Sequence, residues 1–372
     1  MRKLASIQLI SELRPIEGKD KIELAAVMGW HVIVSKKDGF KVGDKCVYIE
    51  IDSVLPDKPQ FESLRSKNFR IRTMKMGGVL SQGIVFPLSI LPPSQKEYAV
   101  GDDVTDLVGV KQYEPTMDIE RPKNQKQPSK CAKFLMRFKW YRNLLNSKKE
   151  KRGFPDFITK TDEIRIQNAP FMLEDKSRYI VTEKVDGSSG TYALVYHKRK
   201  LPFLKPKEEY IVCSRNVRLF SHDNSNYWKV SDKYDIKNLL CLICRERKTE
   251  WAAIQGEVVA SDIQKNKYHV TEPQLYVFNI ILPNGRMGST EAKKLLESIY
   301  KDNPECFANQ VNFVPILDDD FTLPDTVDEM VEYADGTSKL FDTLREGVVV
   351  RSYDGQRSFK AVSNKFLLKW NE

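Results

Sequence analysis

Residues 181–190 read Val181-Thr182-Glu183-Lys184-Val185-Asp186-Gly187-Ser188-Ser189-Gly190, which places a lysine at the end of an apolar strand pattern and an Asp-Gly pair two residues later. A lysine in that position faces a pocket instead of open solvent. The tetrapeptide Lys-x-Asp-Gly is weak evidence alone, because Lys36-Lys37-Asp38-Gly39 matches it too and reads as a hairpin turn with Asp-Gly at its centre. What separates Lys184 from that copy is the ordered series behind it. CSRN carries Arg215, IQGEVVA carries Glu257, LYVFNI carries Tyr276 and Phe278, LREGVVVR carries Glu346 and Arg351, and SFKAVS carries Lys360.

In the order and spacing of these six motifs the chain resembles the covalent nucleotidyltransferases, the superfamily of ATP-dependent DNA and RNA ligases and capping enzymes. Lys360 lies twelve residues before Glu372, leaving no room for the C-terminal barrel that DNA ligases and capping enzymes carry after this motif. The extra segment stands in front instead. That arrangement, with FKVGDKCVYIEIDSVLP, LSQGIVFPL, FPDFITKTDEIRIQN and SNKFLLK, looks like the ATP-dependent RNA ligases that have an N-terminal OB-fold domain.

The resemblance implies a sequence of chemistry. Lys184 attacks ATP to give lysyl-AMP, AMP passes to an RNA 5′-phosphate, and a 3′-hydroxyl then seals the strand, typically at nicks in duplex RNA. The implied ATP-binding set is Glu183, Asp186, Gly187, Arg215, Glu257, Phe278, Glu346, Arg351 and Lys360, with Lys360 also catalytic. Two divalent ions, Mg²⁺ or Mn²⁺, are implied, held through water by Asp186, Glu257 and Glu346. Such residue types suit the task. A lysine amine free near pH 7 costs about 4 to 5 kcal/mol, which nearby cations reduce. Magnesium keeps its waters and takes few direct protein ligands. A phenylalanine can stack on a purine. Each residue also has a plainer use: Phe278 as core packing, Glu257 as an edge charge, and Arg215 and Lys360 as surface residues.

Two positions depart from the wider pattern. Lys360 is followed by Ala361 and Val362, where many RNA ligases carry Lys-x-Lys, so either one lysine suffices or Arg357 or Lys365 helps. Arg351 stands where lysine is usual, and a guanidinium keeps its charge but does not shuttle protons.

Farther out, charge divides the chain of 372 residues. Residues 121–152 hold twelve Lys/Arg against Glu150, so this stretch carries +11 of a formal net +9 and the remainder sums to −2. Phe134, Phe138, Tyr141 and Leu145 recur at helical spacing among basic residues, as in a basic amphipathic helix. Lys130, Lys133, Arg137, Lys139 and Arg142 are the candidate RNA-phosphate contacts. The expected organisation is an N-terminal OB-fold domain over 1–113, a basic linker over 114–154 and the adenylyltransferase domain over 155–372. The fold expected is thus an α+β nucleotidyltransferase, ATP-grasp-like in its antiparallel sheets with helices, preceded by an all-β domain.

Composition excludes other classes. Hydrophobic residues make up 41% and charged residues 30%, too apolar for a disordered chain. No run of about 18 apolar residues occurs and charge interrupts the first fifteen positions, so neither membrane spanning nor secretion is expected. Six scattered cysteines favour a reducing, cytoplasmic setting, with Cys241 and Cys244 read as core packing on a helix. Two rival readings remain: a capping guanylyltransferase or DNA ligase, and a non-catalytic OB-fold RNA-binding protein.

Overall fold

The computed structural model describes residues 3–93, 97–113, 153–198, 206–219 and 224–370. The candidate RNA-phosphate contacts Lys130, Lys133, Arg137, Lys139 and Arg142 lie outside the described residues. The N-terminal part is a five-stranded antiparallel sheet in the order Trp30–Ser35, Lys19–Val27, Ala5–Ile16, Lys45–Ile49, Ile84–Phe86. The long Ala5–Ile16 strand serves two partners: Ala5 to Leu9 pair with Lys45–Ile49, and Ile10 onward pairs with Lys19–Val27, with a register shift between Ile10 and Glu12. Such an irregularity bends the strand and lets the sheet curl around Ile7, Ile10, Val47, Ile49 and Phe61, all fully buried.

Sequence alternation would leave Tyr48 and Glu50 in water, yet Tyr48 is fully buried and Glu50 nearly so. The second face is covered. Trp30 stacks against Tyr48, and Asn168 Nδ2 donates to Glu50 Oε1 at 2.6 Å. The Lys36-Lys37-Asp38-Gly39 stretch also differs from its expectation. It is a single 3₁₀ turn, capped by the Ser35 hydroxyl and closed by Gly39 at φ 66°, and the strands on its two sides are not neighbours.

The C-terminal part stacks two sheets. The smaller runs Ile164–Arg165, Ser358–Val362, Gly347–Ser352, Arg178–Lys184, Ile316–Thr322. The larger runs Arg218–Leu219, Lys207–Cys213, Ser188–His197, Trp251–Val259, Gln274–Leu282, Gly285–Arg286, and Asn312–Phe313 adds to Gln274–Leu282 in parallel. In the Arg178–Lys184 strand, alternation sends Tyr179 and Val181 into a core with Met330 and Val331 of the Val327–Ala334 helix. Ile180, Thr182 and Lys184 take the opposite face. On the larger sheet the Ile236–Glu246 and Ser289–Asp302 helices cover one face through Leu239, Ile243, Leu295 and Ile299, packed on Tyr192, Ile254 and Val277. Ser189, Glu257 and Tyr276 are in register on the other face. Residues 185–187 connect the two sheets, whose faces away from these helices carry the buried Ile180, Thr182 and Tyr276.

The two parts are joined through residues 165–168. Gly29 N–H donates to Gln167 O at 2.9 Å, Trp30 Nε1 to Asn168 Oδ1 at 2.5 Å, and Arg165 pairs with Asp52 at 3.3 Å. Val362 and Leu367 pack into the N-terminal core. The OB-fold followed by an α+β module agrees with the fold class read from the sequence. No helix among the described residues is long and apolar enough to cross a membrane.

Candidate active site

The register of the smaller sheet sets Lys184 opposite Gly347, and Thr182 opposite Val349, which in turn faces Lys360. Lys184 and Lys360 therefore share one face. Gly347 lets the strands approach: a Cβ there would lie 2.2 Å from Ala361 O. Just before it, Glu346 Oε2 receives a hydrogen bond from Lys184 Nζ at 2.6 Å. Both side chains are half-buried, at 23% and 15% exposed.

From the other sheet comes Glu257, whose Oε2 accepts from Ser189 Oγ at 3.2 Å. Burial pushes the Glu257 carboxyl up to about 7, with Lys184 opposing and Glu346 adding to the rise. Burial alone would depress the Lys184 amine, but Glu346, Glu257 and Asp186 outweigh it and hold its pKa above the ordinary lysine value. The resting amine is a protonated ammonium among acids.

Asp186 follows in the connection between sheets, where its Oδ2 accepts from Lys267 Nζ at 2.7 Å. Gly187 has no room for a side chain, since a Cβ would sit 2.5 Å from Val258 O. Phe278 is half-buried on the Glu257 and Tyr276 side and packs against a cluster of Val185, Val259, Tyr268 and Val314. The Glu183 side chain points away from Lys184, and its carboxylate accepts from Ser338 Oγ and the Lys339 N–H at 2.5 and 2.7 Å.

The expected cations divide. Lys360 Nζ and Arg215 Nη2 approach the same oxygen, Asp162 Oδ1, at 3.2 and 3.6 Å. Arg351, only 3% exposed, is bound instead to Glu163 at 3.3 Å and donates to Phe278 O. Glu163 also takes Arg286 at 2.9 Å and the Ser358 hydroxyl. These cations hold its carboxyl below the usual range despite burial. Of the expected helpers for Lys360, Arg357 pairs with Asp175 and Lys365 with Asp335 at 3.5 Å. The arrangement thus gathers Lys184, Asp186, Glu257 and Glu346, with Lys360 on the same sheet face, and commits Arg351 elsewhere.

Among the described residues, no three His, Cys, Asp or Glu side chains converge closely enough to ligate one ion directly. An all-oxygen donor set around Lys184, without a chelating trio, fits a hard cation that retains its waters. Sequence reasoning missed Asp162, Glu163, Lys267 and Tyr268. The adjacent acids in FITKTDEIRIQN were visible but had no partner in sequence, and Lys267 looks like any surface lysine until the fold buries it.

Residues 177–370 match the RNA ligase family, and residues 4–88 match an OB-fold domain. Among solved structures, Naegleria gruberi RNA ligase with PPi is 30% identical, covers 99% of each chain and superposes with a TM-score of 0.78. A lysine-to-alanine variant of that ligase with ATP and Mn is 30% identical at TM-score 0.77, again over 99% of both chains. A glutamate-to-alanine variant with AMP and Mn is 30% identical over the same share of each chain at TM-score 0.76. No curated protein sequence matches the chain.

Proposed function

The chain belongs to the RNA ligase family and is an ATP-dependent RNA ligase, and from that premise we propose that it joins RNA 3′-hydroxyl and 5′-phosphate ends at nicks in duplex RNA. Lys184 is the nucleophile. Its Nζ gives up a proton, for which Glu346 Oε2 at 2.6 Å is the nearest acceptor, and forms a bond to the α-phosphorus of ATP. The bond to the β-phosphate oxygen breaks and pyrophosphate leaves. An RNA 5′-phosphate oxygen then takes the AMP from Lys184, giving an RNA-adenylate. Attack by the 3′-hydroxyl on that 5′-phosphorus expels AMP and makes the phosphodiester.

The observation that carries this reading is Lys184 at a sheet end, hydrogen-bonded to Glu346 and within the field of Glu257 and Asp186. A divalent cation, Mg²⁺ or Mn²⁺, would be held through its waters by Asp186, Glu257 and Glu346, where it supplies positive charge that eases amine deprotonation and offsets the phosphates. Two such ions per ATP belong to the same reading. Lys360 and Arg215 neutralise phosphate once released from Asp162. Gly187 permits close approach, and Phe278 offers a purine a stacking face. Arg351 acts from behind by fixing Glu163.

The basic segment would grip the duplex backbone without reading sequence. Charge reversal at Lys133 and Arg137 is expected to weaken RNA binding and flatten its salt dependence while leaving lysine adenylylation intact. Unchanged affinity would assign that segment another role. The test of the whole reading is a sealing assay on nicked duplexes varying RNA and DNA on each side, with Lys184→Ala as control. Sealing of RNA nicks by the parent alone supports it, whereas no sealing, or equal sealing by Lys184→Ala, refutes it.

A further inference from the structure

Asp186 is expected to hold a hydrated cation, yet a buried lysine already grips it. Lys267 Nζ lies 2.7 Å from Asp186 Oδ2, and their side chains are 2% and 8% exposed. A buried ion pair of this kind is retained at a cost in desolvation. The surrounding loop is shaped for the contact. Gln264, Lys265 and Asn266 all have positive φ, at 49°, 59° and 50°, and His269 follows at 54°. Four non-glycine residues held in the left-handed region within six positions mark a strained segment, of the sort that packing sustains at functional sites.

Strain there presents three side chains to one dipeptide. Gln264 Nε2 donates to Gly187 O at 3.4 Å, Lys267 holds the Asp186 carboxylate, and Tyr268 Oη accepts the Asp186 N–H at 2.8 Å. The Asn266 side chain bonds both the N–H and the C=O of Val270, at 2.8 and 3.0 Å, and so closes the loop. Behind Lys267 stand two rings of the Asn364–Trp370 helix. Phe366 and Trp370 lie 4.8 and 5.9 Å from its Nζ, within cation–π range. Tyr268 in turn stacks on Phe341 with centroids 4.0 Å apart.

We propose that Lys267 is a positioning residue for lysine adenylylation: it fixes the carboxylate of Asp186 beside Lys184, and the Asn364–Trp370 helix fixes Lys267. This rests on the function proposed above, in which Asp186 belongs to the shell of a divalent cation. In this role Lys267 acts through Asp186, as an outer-shell partner whose loss costs about 10- to 100-fold in metal demand or rate.

The test is a double-mutant cycle of Lys267→Met and Asp186→Asn in the full chain, read by single-turnover formation of the Lys184 adduct across a Mn²⁺ titration. Lys267→Met keeps an unbranched apolar side chain and removes the ammonium, with its hydrogen bond to Asp186 and its cation–π contacts. It is expected to raise the Mn²⁺ needed for half-maximal rate, or lower the rate, by about tenfold or more. In the Asp186→Asn background the same change should have less than about a twofold further effect, because the two residues act as one unit. The double variant, with both charges gone, should also melt higher than Lys267→Met alone, so misfolding is separable from mispositioning. Parental rate and Mn²⁺ demand in Lys267→Met would overturn the proposal, as would a full multiplicative loss on top of Asp186→Asn. Absence of any adduct in the parent would instead refute the function on which it rests.

Discussion

The same four-residue pattern occurs twice in this chain and does two different things. Lys36-Lys37-Asp38-Gly39 is exposed throughout and forms a capped 3₁₀ turn on the N-terminal barrel. Lys184-Val185-Asp186-Gly187 joins two sheets, with Val185 and Asp186 buried and Lys184 held by Glu346. In the first copy Gly39 supplies a left-handed φ of 66° and has open space around it; in the second, Gly187 supplies room against Val258 O. Chemistry comes from what the fold brings to a pattern, here Glu257 from another strand, Glu346 from just before a second, and a strained loop.

The largest contrast should come from the lysines. Lys184→Ala should abolish adduct formation and RNA sealing, a loss of more than about a thousandfold, because the nucleophile itself is gone. Lys36→Ala should leave both within about twofold of the parent, as a surface change far from any such role. An equal loss in the two variants, measured side by side with ATP and Mn²⁺, would erase the distinction.

The glycines should differ less. Gly187→Ala forces an atom against Val258 O and is expected to cost about 2 to 3 kcal/mol with a marked loss of adduct formation. Gly39→Ala carries only the left-handed penalty, about 1 kcal/mol, and no loss of adduct formation. Denaturant melts paired with adduct assays would show whether the two costs separate in this order.

Titration sharpens the contrast further. Glu257 has a folded-state value of about 7, above the ordinary carboxylate range. Between those values the folded chain binds the extra proton, so this residue's contribution to stability falls as pH rises through that window. Lys184, whose value is raised, contributes stability that is lost only above the usual lysine range and adds no slope here. Accordingly, the melting temperature without metal should drop by a few degrees between about pH 5 and pH 7.5, and Glu257→Gln should flatten that drop. At the upper pH, Mn²⁺ should raise the melting temperature of the parent more than that of Glu257→Gln. A steeper fall in the Gln variant would reverse the assignment. Asp38→Asn should be the smallest change, within about 0.5 kcal/mol and without effect on the adduct.

Much of this was legible beforehand because several signals are local or ordered along the chain. Alternation in Val181 to Lys184 placed the lysine at a strand end, and the segment with Cys241 and Cys244, read as helical, lies in the Ile236–Glu246 helix. Motif order singled out Glu257 and Glu346, and the fold sets both near Lys184. What stayed hidden depends on non-local partners. Tyr48 and Glu50 sit at positions that alternation exposes, and only the packing of Trp30 and Asn168 buries them. The pairing of Arg351 with Glu163, 188 residues earlier, leaves no local signal in the sequence. Lys267 had no pattern at all, since a buried lysine differs from an exposed one only in what surrounds it.

The central claim is that Lys184 carries AMP covalently. Intact mass analysis after incubation with ATP and Mn²⁺, followed by peptide mapping, tests it most directly. A gain of one adenylyl group located on Lys184, absent from Lys184→Ala, is the predicted result. No gain in the parent, or the same gain in the alanine variant, would contradict it.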